Sequence, residues 1–241
     1  MKHLPSLSKN PLVTIVCCLH GDEQFGAEVF SFFASRQEQY PGVQLILAHE
    51  EAMAVNKRFL ETDLNRSFPG SLTGSLEEQL ATEILPLVTS SRYVLDIHTT
   101  TSLIEYTPIV TCLSEQTIEI LRATSSNEIA FVQMPLGVRS LIGQIVGGVS
   151  LEFNEHVAGS PTSLEEIVRI VDALCSPKSF GVQKKEVFFI DRVIPKTILI
   201  PDDTTNFLYC EEVQGYPFLL HEKSYPTIHG LCASFRQQLS L

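Results

Sequence analysis

Apolar runs of five to eight residues alternate along most of the chain with segments whose apolar residues recur at helical spacing. The first run, residues 12–19, is continuous and rich in β-branched residues, which is typical of a strand buried on both faces of a parallel sheet. The segment 26–39 that follows has helical spacing. Strands that alternate with helices predict an α/β fold with a mixed, mostly parallel sheet and helices on both faces.

The same pattern gives the remaining elements of this region. Further strands are predicted at residues 43–49, 92–98, 107–113, 128–134 and 147–153, and further helices at residues 75–88, 114–126 and 162–175. Two of these helices open with a serine followed three residues later by a glutamate, which is capping-box spacing. We therefore expect Ser75 with Glu78, and Ser163 with Glu166, to mark two helix starts.

The character of the chain changes near residue 178. Short β-rich pieces follow at residues 186–194, 197–201 and 206–213, with no convincing helix before the last ten residues. We predict an α/β domain over residues 1–178, which carries the candidate site described below, and a small β-rich C-terminal appendage over residues 179–241.

Composition narrows the classes of partner. The formal net charge is −11, which argues against nucleic acid because a nucleic-acid partner requires a basic stripe. The six cysteines lie mostly in apolar runs and include no Cys-x-x-Cys pair, which predicts buried free thiols in a reducing compartment. No apolar run approaches the roughly 20 residues of a membrane span. We expect a cytoplasmic protein without a membrane partner, and the sequence leaves a homo-oligomer open.

Two histidines fall at the ends of predicted strands, where open α/β sheets bind their ligands. Glu23 follows His20 by three residues, so that His20, Glu23 and His98 would form a His₂Glu set with an open fourth position, as in catalytic zinc sites. Asp96 would orient the imidazole of His98. The alternative is that strand-end histidines are ordinary surface or packing residues, and spacing alone leaves both interpretations open.

The segment 58–70 places Arg58, Asn65 and Arg66 in a loop-like region of an acidic protein. Guanidinium groups bind carboxylates through paired, charge-assisted hydrogen bonds, which suits an anionic substrate. The alternative is that these arginines pair with Glu61 and Asp63 on a solvated surface.

Three short patterns occur in order along the chain. They are His-Gly-x-Glu at residues 20–23, Asp-Leu-Asn-Arg-x-Phe at 63–68 and Asp-Ile-His-x-Thr-Thr-Ser at 96–102. Together they resemble the succinylglutamate desuccinylase/aspartoacylase family, a branch of the zinc carboxypeptidase-like hydrolases. The resemblance runs from about residue 13 to residue 156, and more weakly to residue 226. It implies a zinc carboxypeptidase-like form of the α/β fold.

The resemblance also implies roles for individual residues. One Zn²⁺ would be held by His20, Glu23 and His98, and Glu152 would be the general base. Arg58 would polarise the scissile carbonyl. This chain has Cys18-Leu19 where the family usually has Gly-Thr before the first histidine.

The remaining roles concern the substrate. Asn65 and Arg66 would hold its carboxylate, Tyr225 in the segment Tyr-Pro-x-x-x-x-Glu-x-x-Tyr would contact it, and Arg139 would be a second carboxylate-binding arginine. The implied function is zinc-dependent hydrolysis of N-acyl amino acids such as N-acetyl-aspartate or N-succinyl-glutamate. A carboxypeptidase-like metallopeptidase and a non-catalytic zinc-binding protein on the same scaffold are the alternatives.

Overall fold

The computed structural model describes residues 1–133, 135–176 and 181–241. Its strands are β1 (Lys2–Leu4), β2 (Val13–Cys17), β3 (Val43–Leu47), β4 (Tyr93–Thr100), β5 (Tyr106–Val110), β6 (Glu128–Val132), β7 (Gly148–Asn154), β8 (Lys184–Pro195), β9 (Tyr216–Phe218) and β10 (Ile228–Ser240). Its helices are α1 (Phe25–Ala34), α2 (Glu50–Ala54), α3 (Leu76–Val88), α4 (Glu115–Ala123), α5 (Pro135–Val138) and α6 (Pro161–Cys175), with 3₁₀ turns at Leu64–Arg66 and Ile142–Gln144.

All these strands belong to one ten-stranded sheet in the order β1-β3-β2-β4-β7-β5-β6-β8-β10-β9. The strands β3, β2, β4 and β7 run parallel to one another, and β6 and β8 continue parallel to β5. Antiparallel pairing joins β1 to β3, β5 to β7, and β10 to both β8 and β9. The predicted mixed, mostly parallel α/β fold is confirmed.

Apolar side chains cover both faces of the sheet. Because successive residues of a strand point to opposite faces, Ile15 packs in one core with α1, α4 and α6, whereas Val16 packs in another with α3. Both faces of β2 are therefore buried, as its continuous apolar sequence predicted. The loops that follow the central strands β2, β4 and β7 lie at the carboxyl ends of those strands.

One predicted helix start is confirmed and the other is wrong. Ser75 Oγ accepts from Glu78 N while Glu78 Oε2 accepts from Ser75 N, which is a complete capping box. α6 instead begins at Pro161, and Ser160 caps it by accepting from Ser163 N. Proline suits the first turn of a helix because its φ is already helical and its missing N–H would have no partner there.

The β-rich C-terminal part extends the main sheet, because β8 pairs in parallel with β6. Residues 197–201 and 206–213 form turns and irregular backbone rather than the predicted β-rich pieces, apart from an isolated bridge between Cys210 and Gly215. The last ten residues lie in β10 or follow it. Ile198 and Ile200 pack on a small core, but residues 197–201 pair with no strand in the described chain. The proposed boundary at residue 178 and the end of the predicted strand 128–134 lie outside the described residues.

The prediction of buried free thiols holds for four of the six cysteines. All six are free, and Cys17, Cys18, Cys210 and Cys232 are buried, while Cys112 is partly buried and Cys175 is exposed. Within the described ranges, no helix is both long and apolar enough to cross a membrane.

Candidate metal centre and active site

The site lies where β2, β4 and β7 end side by side. The turn after β2 carries His20 and Glu23, while His98 on β4 lies directly across the parallel ladder from Glu152 on β7. Gly21 allows this turn to pack against α2, because a Cβ there would lie 2.3 Å from the backbone carbon of Ala52. The glycine of His-Gly-x-Glu is therefore required for close packing.

The carboxylate of Glu23 lies between two imidazoles. Its Oε1 is 2.6 Å from His20 Nδ1, and its Oε2 is 3.1 Å from His98 Nδ1. One ligand atom from each of the three residues lies within 4.8 Å of the other two, and all three side chains are buried. The structure thus brings together the three predicted metal ligands.

Each imidazole is oriented by a second carboxylate on its far nitrogen. His20 Nε2 lies 3.1 Å from Asp63 Oδ1, and His98 Nε2 lies 2.9 Å from Asp96 Oδ2. Such partners fix the ring orientation of a metal-binding histidine and raise its basicity. Two oriented imidazoles and one carboxylate, with room for a further ligand in the cavity, fit a catalytic divalent cation such as Zn²⁺.

The electrostatics of the cluster favour positive charge. Burial opposes ionisation of Glu23, but the two imidazoles outweigh it and hold the pKa of Glu23 below its ordinary value. Burial likewise opposes protonation of His98, yet Asp96 and Glu23 raise the pKa of His98 well above its ordinary value. The cluster is therefore built to accommodate a cation, which is the charge that a metal ion would supply.

The segment 58–70, which we call the arginine loop, contacts this cluster. Arg58 Nε lies 3.2 Å from Asp63 Oδ2, and Arg58 Nη1 lies 3.5 Å from Glu23 Oε1. Arg66 Nε lies 3.6 Å from Asp63 Oδ2, and the Arg66 side chain is 39% exposed. Asp63 pairs with both arginines, as expected if the arginines form surface ion pairs. However, Asp63 lies in the cavity wall and also contacts His20.

Asn65 joins this loop to the next segment of the wall. Asp63 Oδ1 accepts from Asn65 N at 2.9 Å, which caps the 3₁₀ turn Leu64–Arg66. Asn65 Oδ1 accepts from Leu141 N at 2.9 Å, and Asn65 Nδ2 lies 3.4 Å from His98 Nε2. The asparagine is thereby held beside the His20–Glu23–His98 cluster.

Glu152 differs from the other carboxylates of the site. Its burial in the cavity wall raises its pKa to about 7, and the negative charges of Glu23 and Glu222 act in the same direction, opposed by His98. A carboxyl group that exchanges its proton near neutral pH is suited to general acid–base chemistry.

The C-terminal segment completes the cavity with Glu222 and Tyr225. Glu222 Oε2 accepts from Thr101 N at 2.8 Å and from the hydroxyl of Thr100, which ties this segment to the end of β4. Burial raises the pKa of Tyr225 to about 12, so its hydroxyl stays protonated at neutral pH.

Eight of the nine predicted site residues line one cavity of about 110 Å³. They are His20, Glu23, Arg58, Asn65, Arg66, His98, Glu152 and Tyr225. The structure does not bring Arg139 to this group, because its side chain is 61% exposed and lies 3.9 Å from Glu78. Much of the remaining wall is apolar, with Ile109, Val132, Phe218, Leu219 and Leu231.

Sequence reasoning gave no role in the site to two residues that the structure places there. Asp63 was interpreted only as a surface partner of arginines, and Glu222 received no role. Both lie inside the short patterns that carried the family resemblance, so their position in those patterns was the available signal.

The sheet and its buried His-Glu-His cluster define a mixed α/β protein with a candidate metal site at the carboxyl ends of its central strands. The family model "Succinylglutamate desuccinylase/Aspartoacylase catalytic domain" matches residues 9–141, which is more than half of the chain. The chain therefore belongs to this family of deacylating hydrolases.

Solved structures agree with this fold. Murine aminoacylase 3 superposes with a TM-score of 0.76 at 15% identity, over 97% of this chain and 99% of that chain. Succinylglutamate desuccinylase from Chromobacterium violaceum gives a TM-score of 0.69 at 15% identity, over 98% of this chain and 86% of that one. Succinylglutamate desuccinylase from Vibrio parahaemolyticus gives a TM-score of 0.57 at 18% identity, over 90% of this chain and 72% of that chain. No curated protein matches the chain by sequence.

Proposed function

We propose that this protein is a zinc-dependent amidohydrolase that cleaves N-acyl amino acids to a free amino acid and a carboxylic acid. N-acetyl-aspartate-like and N-succinyl-glutamate-like compounds are the foremost candidate substrates. The observation that carries the proposal is the convergence, in one cavity, of the His20–Glu23–His98 cluster with Glu152 on the adjacent strand.

Zn²⁺ would be held by His20, Glu23 and His98, the set whose nitrogen and oxygen atoms converge in the structure. When bound there, the ion supplies Lewis-acid chemistry, which makes water more acidic and offsets negative charge on a carbonyl oxygen. Asp63 and Asp96 keep both imidazoles oriented toward this cluster.

Glu152 takes the proton of the attacking water and later delivers it to the nitrogen of the leaving amine. Its raised pKa suits both steps, since the same carboxyl group must accept and release a proton near neutral pH. Arg58 donates to the carbonyl oxygen as negative charge develops there.

Arg66 and Asn65 hold the carboxylate of the amino-acid half, which fixes the amide beside the cluster. Tyr225 offers a neutral hydroxyl donor from the opposite segment. A cavity of about 110 Å³ with an apolar wall suits a compact substrate. We propose that the partner is a small molecule in the cytoplasm rather than a nucleic acid or a membrane.

The test is release of primary amine from a panel of N-acetyl, N-succinyl and N-formyl amino acids, with and without a chelator. We expect hydrolysis of at least one compound, abolished by the chelator and restored by Zn²⁺. Dipeptides in the same panel test the carboxypeptidase-like alternative, and hydrolysis of dipeptides alone would support it. Tight zinc binding without hydrolysis of any compound would favour the non-catalytic alternative and overturn the proposal.

A further inference from the structure

A further buried carboxylate, Glu77, lies in the first turn of α3 and outside the cavity lining. Its side chain is fully buried, and three consecutive backbone N–H groups of the arginine loop converge on it. Glu77 Oε1 accepts from Leu60 N at 2.8 Å and from Glu61 N at 3.1 Å, and Oε2 accepts from Thr62 N at 3.0 Å. Both carboxylate oxygens are therefore occupied by the loop.

His49 holds Glu77 from the other side. Its Nε2 lies 3.0 Å from Glu77 Oε1, and both side chains are fully buried. His49 follows β3, its backbone N–H donates to Cys18 O, and its Nδ1 accepts from Ala52 N in α2. The carboxylate is thus anchored to the sheet edge that also carries the metal cluster.

The capping of α3 does not explain Glu77. The cap of α3 is supplied by Ser75 and Glu78, whereas the hydrogen bonds of Glu77 go to the loop and to His49. The helix dipole modestly stabilises an acidic residue in the first turn, but this stabilisation requires neither full burial nor contact with a distant loop.

The loop that Glu77 holds leads directly to the cluster. Residues 60–62 are followed by Asp63, whose Oδ1 lies 3.1 Å from His20 Nε2 and whose Oδ2 lies 3.2 Å from Arg58 Nε. A shift of this backbone would move Asp63, and with it the orientation of His20 and Arg58.

We propose that Glu77 is a positioning residue: its carboxylate fixes residues 60–62 so that Asp63 can hold His20 and Arg58 in place for the metal and the substrate. This inference rests on the proposed function for its catalytic consequence, but not for its effect on metal binding. Glutamine cannot replace the carboxylate, because its NH₂ group would face an N–H donor where Glu77 presents an acceptor.

The experiment compares Glu77→Gln with Glu78→Gln in the full-length protein. Glu78 is a matched control, since it is the next residue of the same turn and glutamine preserves a capping box. We expect Glu77→Gln to weaken Zn²⁺ binding by up to roughly 10- to 100-fold, because displacement of Asp63 would deprive His20 of its outer partner, and losing such a partner has about that effect. Competition with a chromogenic chelator gives the dissociation constant, and Glu78→Gln should match wild type.

A double-mutant cycle with Asp63→Asn separates positioning from a general loss of stability. If Glu77 acts through Asp63, its substitution should cost little further Zn²⁺ affinity once Asp63 is asparagine, because the two effects are then not additive. Additive losses, or a folded Glu77→Gln protein with wild-type zinc affinity, would overturn the inference.

The inference can still be tested if Glu77→Gln does not fold or if the wild type has no hydrolytic activity. If Glu77→Gln does not fold, Glu77→Asp replaces it in the experiment, because aspartate keeps the charge but its side chain is one methylene shorter. Wild-type zinc affinity in folded Glu77→Asp would then refute the positioning role of Glu77. If the wild type hydrolyses no N-acyl amino acid, the proposed function fails, while the zinc affinities still decide the role of Glu77. With activity, we also expect kcat/KM of Glu77→Gln at saturating Zn²⁺ to fall more than that of Glu78→Gln.

Discussion

Glu23 and Glu152 are carboxylates of one cavity whose pKa values move in opposite directions. Burial acts alike on both, but Glu23 lies between two imidazoles that lower its pKa, whereas the raised pKa of Glu152 reflects burial and neighbouring negative charge. Environments that separate two carboxyl groups in this way assign them different chemical roles. These opposite pKa shifts fit the roles proposed above, in which Glu23 stays ionised as a metal ligand and Glu152 exchanges protons.

Glu152→Gln should retain Zn²⁺ but lose roughly 10²- to 10⁴-fold in kcat, because a positioned general base contributes about that much. Zinc content by elemental analysis and turnover on the best panel substrate give the two measurements. Turnover close to wild type would exclude Glu152 as the base.

Arg66→Ala should raise KM for carboxylate-bearing substrates by about 10- to 100-fold, since a hydrogen bond to a charged group contributes roughly 1.5–3 kcal/mol. Zinc content should not change. Arg169→Ala is the control, because this arginine lies on α6 and pairs with Glu166. An unaltered KM in Arg66→Ala would show that the carboxylate binds elsewhere.

Residues of the site were predictable from sequence where a short pattern carried them. His20, Glu23 and His98 stand within such patterns, and the strands that end there bring them together. Glu77 was not predictable, because it binds backbone groups and no pattern of side chains records that contact. Cys18 stands where the resemblance implies a glycine, and its φ of 56° is a left-handed conformation that glycine adopts without strain.

At the scale of elements, short sequence patterns predicted a feature correctly where that feature depends on contacts between residues close in sequence. The Ser75–Glu78 cap forms as predicted because both its bonds lie within one turn. Residues 197–201 have an apolar pattern typical of a strand, with Ile198 and Ile200 packed and Leu199 89% exposed. They pair with no strand among the described residues, and pairing partners far along the chain cannot be deduced from periodicity.

The first turn of α3 should also give the protein a characteristic response to acid. Burial opposes the charge of Glu77, but His49 and the three loop N–H groups lower its pKa to about 2 from an ordinary value of 4.5. Because the pKa is depressed on folding, the carboxylate stabilises the folded protein above pH 4.5, and this contribution disappears as the pH falls through 2.

Urea unfolding of wild type and Glu77→Gln, with a chelator present and between pH 6 and pH 3, tests this response. We expect the difference in the free energy of unfolding to be largest at pH 6 and to shrink below pH 4.5. A difference that does not vary with pH would contradict a stabilising role for the charge. The chelator ensures that loss of metal in acid does not contribute.

At the scale of the whole molecule, one sheet carries both the His20–Glu23–His98 cluster and the segment that completes the cavity. β8 pairs with β6, β10 pairs with β8, and the chain between them supplies Glu222 and Tyr225. Sequence predicted an α/β region and a β-rich appendage, but not that one sheet would run through both. The division at residue 178 stays a prediction, while the pairing shows that the two parts share backbone hydrogen bonds.

The pairing of β8 with β6 has a consequence for synthesis of the chain. Among the residues that the structure describes, only the much later segment Glu186–Ile190 pairs with one edge of Glu128–Val132. A nascent chain that ends before β8 therefore presents an open, largely apolar strand edge. Such edges recruit strands from other molecules. We expect a fragment of residues 1–176 to self-associate, as measured by light scattering, and addition of a peptide of residues 181–195 to reduce it; a monomeric fragment would show that β6 is protected in another way.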